Sequence, residues 1–357
     1  MKIISFPHMG NYSVPLKFML EKLSKLEVIV APSITKKTLE LGSKYAPDFV
    51  CIPFKYNLGN YIEALEKGAN VLVGAGGGCR FGYYGEGNET ILKGLGYEFE
   101  FCSIGNDNGK MGPKTIYKAL KKLNPKLNIF NYLYYLCLIF LMVLYMDKLD
   151  VIIRSRIGFA KNHDDFINEQ KLFLKKFSET KGIIHLIAQY FKAKRRIKKI
   201  AINKNKDCLK VGIIGELYTS MEPFASYNIE IELAKMGVEI ERYTNLTYLM
   251  IIKYFNLKYL LHQAKGYVRF KLGADALDNI ARTKWLCKKK YDGIIHTKPF
   301  GCMPEVSGIP IIDKIAKNYK VPIIYLSFDS QTSEEGIKTR LEAFYDMINM
   351  KKGATND

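Results

Sequence analysis

The chain has 357 residues, 48% of them hydrophobic and 25% charged, a length that points to two α/β domains with a helical insert rather than one core. Its formal charge of +19 arises from basic residues spread widely through a Lys-, Ile-, Asn- and Tyr-rich sequence. Compositional bias accounts for that charge, a docking surface for an acidic protein partner comes next, and nucleic acid is not expected as a partner, despite the dense run Lys192–Lys199.

The first residues, Met1 to Pro7, read as a strand entering a turn and not as a secretion signal. A cytoplasmic chain is expected. Its seven cysteines are then thiols or metal ligands, not a disulfide framework.

Residues 1–105 alternate strands with helices. Lys2–Phe6 and Val28–Ala31 are short apolar strands. Between them, Leu16, Met19, Leu20 and Leu23 have helical spacing. Ser33 suits the N-cap of a helix over Thr35–Tyr45. Leu58–Lys67 reads as a helix, and Asn70–Val73 as a buried strand that ends in a glycine-rich turn. Glu89–Leu95 is a helix and Glu98–Ser103 a strand. Residues 106–208 read as helical. Within them, Ile129 to Met146 is almost wholly apolar and just long enough to span a membrane. Its ordinary soluble flanks and the lack of a second span favour a buried helix or helix pair, with no membrane association. Residues 209–350 return to strands at Lys210–Gly215, Val238–Ile240, Gly293–His296 and Val321–Phe328. Helices follow at Ile229–Lys235, through a long stretch to Lys289, at Ile311–Asn318 and at Glu334–Asn349. This rhythm predicts mainly parallel sheets, whose ligands sit at the carboxyl ends of the strands. The expected domains are therefore 1–105, a helical segment 106–208, and 209–350.

Three phrases place a cysteine in a Gly/Pro-rich turn. They are Cys51-Ile52-Pro53-Phe54-Lys55, the run from Gly74 through Gly78-Cys79-Arg80 to Gly85, and Lys298-Pro299-Phe300-Gly301-Cys302-Met303-Pro304-Glu305. An iron–sulfur cluster needs thiolates from different loops and backbone N–H groups near the sulfurs. Glycine permits the close approach, and a helix that starts after the cysteine stabilises its thiolate. Cys102, Cys137, Cys208 and Cys287 lie in runs without turn residues and read as core fillers. No CxxC pair is present, so a zinc ribbon or ferredoxin-type run is excluded. The glycine cluster fails as a dinucleotide fingerprint, because its third glycine position is Cys79. No Walker A motif occurs. His8 and His296 lie near strand ends, either facing a pocket or making a structural hydrogen bond. Glu216 and Glu222 follow a buried strand. Each is a candidate acid, base or lid residue, with plain helix capping as the alternative.

Taken together, Cys51-Ile52-Pro53-Phe54-Lys55 with Gly59, Gly78-Cys79-Arg80-Phe81-Gly82-Tyr83-Tyr84-Gly85, Gly212-Ile213-Ile214-Gly215-Glu216 with Glu222-Pro223-Phe224, Pro299-Phe300-Gly301-Cys302-Met303-Pro304-Glu305, and Phe328-Asp329 with Thr332 and Thr339-Arg340-Leu341-Glu342 resemble the 2-hydroxyacyl-CoA dehydratase family. More narrowly, they are similar to its stand-alone, activase-related members. The resemblance implies two Rossmann- or flavodoxin-like domains around a 4Fe-4S cluster. The matching ligand positions are Cys51, Cys79 and Cys302, with Gly78 and Gly301 beside two of them, and Glu216 and His8 are the catalytic candidates. It implies electrons from a separate ATP-hydrolysing iron–sulfur activator, which reduce an acyl-CoA thioester to a ketyl radical that expels hydroxide. Three protein ligands leave one iron with an open position. Close relatives often carry a further cysteine before the second motif. Glycine stands there in this chain, which favours a single cubane. The resemblance also implies pairing, with a second copy or with a sister subunit. A non-catalytic cluster-carrying subunit is the alternative to an enzyme.

Overall fold

β-Branched runs bounded by polar turns form strands in two four-stranded parallel sheets, with orders β2-β1-β3-β4 and β6-β5-β7-β8. They are seen in a computed structural model that describes residues 1–74, 76, 79–105, 112–205, 207–249, 253–268 and 272–354. The chain divides into two compact units, Met1–Met142 and Val143–Asp357.

The first unit runs β1 (Ile3–Phe6), α1 (Ser13–Ser24), β2 (Glu27–Val30), α2 (Lys36–Tyr45), α3 (Ile52–Glu66), β3 (Val71–Gly74), α4 (Tyr84–Gly94), β4 (Glu100–Ser103) and α5 (Pro113–Leu123). The N-cap of α2 is Thr35 rather than Ser33. Its hydroxyl accepts from Thr38 N, and Thr38 returns the bond to the Thr35 backbone. α3 begins six residues earlier than the apolar spacing predicts. Pro53 sits in its first turn, where proline's fixed φ favours a helix start and its missing N–H is no loss. Apart from Lys55, α3 is buried from Ile52 to Ala64. It can lie so deep because it meets α2 at two glycines. A Cβ on Gly42 would stand 1.8 Å from Lys55 O, and one on Gly59 would stand 2.0 Å from Thr38 O. Phe54, Leu58, Tyr61, Leu72, Tyr84 and Leu92 form the core there.

α6 (Ile129–Arg154) is one continuous helix. Its first half is not the wholly buried helix expected of its composition: Tyr132 is buried, but Phe130 is 81% exposed and Leu133 52%. Among the described residues no helix is long and apolar enough to cross a membrane.

The second unit continues with α7 (Asp164–Ser178), α8 (Ile183–Lys199), β5 (Lys210–Gly215), α9 (Leu217–Met221), α10 (Ile229–Lys235), β6 (Glu239–Arg242), α11 (Lys253–Ala264), α12 (Ala276–Lys288), β7 (Gly293–Pro299), α13 (Met303–Asn318), β8 (Ile323–Phe328) and α14 (Glu334–Gly353). The last part of α6 is tied to the second sheet by buried charge. Arg154 Nε pairs with Glu230 Oε2 at 2.9 Å, Arg242 Nε pairs with Glu230 Oε1 at 3.0 Å, and Asp147 Oδ2 accepts from Thr247 N at 2.8 Å. Burial pushes the Glu230 carboxyl up, but the two guanidinium groups outweigh it and hold it below the usual glutamate range.

The two sheets share one wiring. In each, the first and third strands of the unit are central, with the second strand beside the first and the fourth beside the third. Connections leave in opposite directions at β1/β3 and at β5/β7, and the crevice at such a switch point is where an α/β sheet presents its ligand contacts.

Candidate functional site

In the first unit the β1/β3 switch point lies between the turn that carries His8 and the turn that carries Cys79. Asn60, fully buried on α3, ties together the turns after β1 and β2. Its Oδ1 accepts from His8 N at 2.8 Å, and its Nδ2 donates to Pro32 O and to Glu63 Oε2, each at 3.1 Å. The His8 ring lies half-buried, with Nδ1 accepting from Gly10 N at 3.3 Å and Nε2 3.5 Å from Ser33 Oγ. Accepting at Nδ1 leaves the proton on Nε2 in the neutral ring.

Cys51 does not follow a strand. It lies between α2 and α3 and is the N-cap residue of α3, with no side-chain capping bond. A serine or aspartate there would spend its oxygen on the first-turn N–H groups. The Cys51 thiol instead hydrogen-bonds the Tyr84 hydroxyl. Tyr84, on α4, packs edge-on against Phe54 of α3 with centroids 4.9 Å apart. Burial, then Cys51 and then Cys79 push the Tyr84 hydroxyl up, so it keeps its proton. Cys79 is exposed and opens a 3-10 turn, Arg80–Tyr83, that leads into α4. Tyr84 thus stands in the field of both candidate ligand cysteines of this unit. Gly78 lies outside the described residues.

In the second unit the β5/β7 switch point lies between Glu216 and Cys302. Gly301 has φ +70 and Cys302 N donates to Pro299 O at 3.2 Å, a tight turn that needs the left-handed region at its third residue. It delivers Cys302 to the N-cap of α13, again with proline in the first turn and again with no side-chain capping bond. Cys51-Ile52-Pro53 and Cys302-Met303-Pro304 therefore start their helices in the same way. Each thiol sits at the positive end of a helix, which favours its thiolate.

Glu216 caps the five-residue α9. Its Oε1 accepts from Tyr218 N at 2.9 Å, and its Oε2 accepts from Thr219 N at 2.9 Å and Thr219 Oγ1 at 2.8 Å. Burial raises its carboxyl to about 7, against the lowering effect of those two backbone N–H groups. Capping is thus its observed structural role, and its proton equilibrium falls near neutrality.

Beneath the Cys302 turn runs a polar network that the sequence reading did not find. Asn279 Oδ1 accepts from Gly215 N at 3.1 Å, and Asn279 Nδ2 donates to Glu305 Oε2 at 2.8 Å. His296 Nε2 stands 2.6 Å from the same oxygen. Asn279, His296 and Glu305 are all buried. His296 therefore makes a structural bond and does not face the crevice. Asn279 on α12 does for the turn after β5 what Asn60 on α3 does for the turn after β1. The signal was an asparagine inside each apolar helix just before the third strand. Lys298, one strand residue before Pro299, is also buried. Burial lowers its ammonium, while Cys302 and Glu305 pull it back up.

All seven cysteines are thiols. Cys102 and Cys287 are buried and pushed up to about 11 by burial, and burial also raises Cys208, as expected of core fillers. Cys137 is not a core filler, because the first half of α6 leaves it exposed. Cys51 and Cys79 belong to the first unit and Cys302 to the second. Among the described residues no three His, Cys, Asp or Glu side chains are grouped as a metal site.

No curated protein matches the chain. Residues 274–348 match the family model described as 2-hydroxyglutaryl-CoA dehydratase, D-component. The matched stretch is about a fifth of the chain and runs from the start of α12 into α14. It contains Asn279, His296, Cys302 and Glu305. Over this stretch the chain is similar to the 2-hydroxyacyl-CoA dehydratase family.

Proposed function

We propose that this chain is an iron–sulfur component of a 2-hydroxyacyl-CoA dehydratase-like system, with Cys51, Cys79 and Cys302 as ligands of one 4Fe-4S cluster. The observation that carries the reading is the repeated Cys-x-Pro helix start at α3 and α13. One of these starts lies inside the stretch that matches the dehydratase family. The donor set fits: soft thiols that do not cap their helices, two of them at positive helix ends, and a tyrosine hydroxyl that remains protonated beside the first. Gly301 gives the third cysteine its turn, and Gly78 neighbours the second in sequence.

When bound, the cluster supplies one low-potential electron, received from a separate ATP-hydrolysing activator, to a 2-hydroxyacyl-CoA thioester. The protein's own groups orient and handle protons around that chemistry. Tyr84 shares a hydrogen bond with the Cys51 sulfur. The Glu216 carboxyl, at about 7, can hold or release a proton near neutral pH. His8 presents its imidazole at the first switch point. The chain acts as a cytoplasmic subunit, paired with a second copy or a sister subunit.

Anaerobic purification tests the cluster. The protein should be brown, with roughly four irons per chain. Cys51→Ala, Cys79→Ala and Cys302→Ala should each lose the iron, and Cys137→Ala and Cys208→Ala should keep it. A colourless, iron-free anaerobic preparation overturns the proposal. Loss of hydroxide from 2-hydroxyacyl-CoAs, with activator and ATP present, separates an enzyme from an electron carrier.

A further inference from the structure

The first half of α6 has two unlike faces. Tyr132, Leu138, Ile139 and Met142 are buried, whereas Phe130, Leu133, Tyr134 and Cys137 are exposed. The exposed residues follow the spacing i, i+3, i+4 and i+7, and half-buried Leu141 continues them by one more turn. From Phe130 to Leu141 this seam runs about 16 Å along the helix. Large apolar side chains in a row on a surface mark a place for a partner. The seam is narrow, with the exposed Asn131 beside it. That width suits a second helix, whereas a lipid surface needs a broad apolar face.

The charge around the seam sets the character of that helix. No Asp or Glu occurs between Asp107 and Asp147. α5 lies against the start of α6: the Tyr132 hydroxyl donates to Pro113 O at 2.6 Å, and the Tyr117 and Tyr132 rings are 5.0 Å apart. On α5, Lys114, Lys118 and Lys122 are exposed at intervals of four residues, and Lys126 is exposed in the connection to α6. A second copy of this chain would bring lysines against lysines, which disfavours self-pairing here. A helix with an apolar side and acidic flanks complements both features.

We propose that the α5–α6 face docks an amphipathic helix of a partner protein, its apolar side on the Phe130–Cys137 seam and its acidic flank on the lysines of α5. The face lies within the first unit and rests on neither the cluster nor the dehydratase reading.

The test uses the full-length chain and two fluorescein-labelled peptides of about three heptads each. The first sets leucine at positions a and d and glutamate at most others. The second has the same composition with its leucines dispersed around the helix. Fluorescence anisotropy should show the first binding about tenfold tighter than the second, or more. The first peptide should also slow maleimide modification of Cys137, followed by peptide mass spectrometry. Phe130→Gln with Leu133→Gln should weaken its binding by about tenfold, and Lys118→Glu with Lys122→Glu by about fivefold. Lys36→Glu with Lys37→Glu makes the same change in net charge on α2 and should leave binding within about twofold. Every substituted position is exposed, and glutamine and glutamate are good helix formers, so thermal midpoints by circular dichroism should not move. Equal binding of the two peptides, or an equal loss in the α2 variant, overturns the proposal in favour of plain charge attraction. A wild type that sediments as a dimer and becomes a monomer with Phe130→Gln and Leu133→Gln overturns it in favour of a second copy. Binding of neither peptide also overturns it, and phosphatidylglycerol vesicles that bind the wild type but not that variant then assign the face to an anionic membrane surface.

Discussion

Asn279 holds the second switch point together, and its removal has a size that follows from its bonds. It is 2% exposed and makes two hydrogen bonds of opposite sense, accepting from Gly215 N at 3.1 Å and donating to Glu305 Oε2 at 2.8 Å. Asn279→Ala leaves the Gly215 N–H without an acceptor at the buried end of β5, a loss of about 1–2 kcal/mol. It also strips the Glu305 carboxyl of one of two donors. A bond to a carboxylate in such a place is worth about 1.5–3 kcal/mol. The total expected loss is about 3–4 kcal/mol, at the upper end for a single substitution. The readout is local, because Trp285 is the sole tryptophan of the chain and lies on α12 itself. Urea unfolding followed by its fluorescence should show the midpoint falling with the slope unchanged. In a double-mutant cycle with Glu305→Gln, the two sites should couple by about 1 kcal/mol or more. A loss below about 1 kcal/mol, or strict additivity with Glu305→Gln, refutes the view that Asn279 braces the Glu216 turn against the Cys302 helix.

Three further outcomes follow from buried groups and close approaches. The Glu216 carboxyl rises from 4.5 to about 7 in the folded chain, so the native state holds its proton more tightly than the unfolded state and loses stability as pH rises between those values. Glu216→Gln lacks that slope. The stability of the variant minus that of the wild type should therefore grow by on the order of 2–3 kcal/mol between pH 4.5 and 8, and urea midpoints at both ends check the sign. Gly215→Ala places a Cβ 2.0 Å from Thr297 O at φ +147 and should destabilise by roughly 3 kcal/mol or more. Gly237→Ala, also at positive φ but with its nearest atom 3.9 Å away, should lose only about 1 kcal/mol, so equal thermal shifts contradict the role given to the close approach. Arg154→Met leaves Asp150 with the Gln170 amide but no cation, and Glu230 with Arg242 alone, in a buried setting. It should lower the Trp285 midpoint by about 3 kcal/mol, and a neutral result means that this charge network adds little to the fold.

The strand pattern was largely legible because each strand is a short apolar run closed by turn residues, and the parallel wiring followed from helices between them. β5 and α10 fall at the residues that periodicity marks. The helix starts at Cys51 and Cys302 did not show in periodicity, since a Cys-x-Pro phrase at the end of a loop reads as a turn. Only the geometry makes it a helix N-cap. α6 misled in a different way. Its composition signals burial on every side, but its first half packs only one side and leaves Phe130, Leu133 and Cys137 exposed. The bracing residues Asn60, Asn279 and Glu305 were hidden for a third reason. A polar residue inside a helix carries no mark of the turn it serves, which is 52 residues away along the chain for Asn60 and 64 for Asn279.

The common wiring of the two units explains why the candidate groups recur at matched places. His8 and Glu216 follow the first strand of each unit, Cys79 and Cys302 follow the third, and a buried asparagine ties the first turn to the helix before that third strand. The frame does not by itself dictate chemistry, and the units differ where chemistry needs them to. The Cys-x-Pro start precedes the third strand in the first unit and follows it in the second. Tyr84 hydrogen-bonds the Cys51 sulfur in the first unit, and in the second a buried lysine, Lys298, precedes Cys302 by four residues. The first unit thus sets a tyrosine hydroxyl against its first candidate cysteine, and the second sets a lysine within the influence of Cys302 and Glu305.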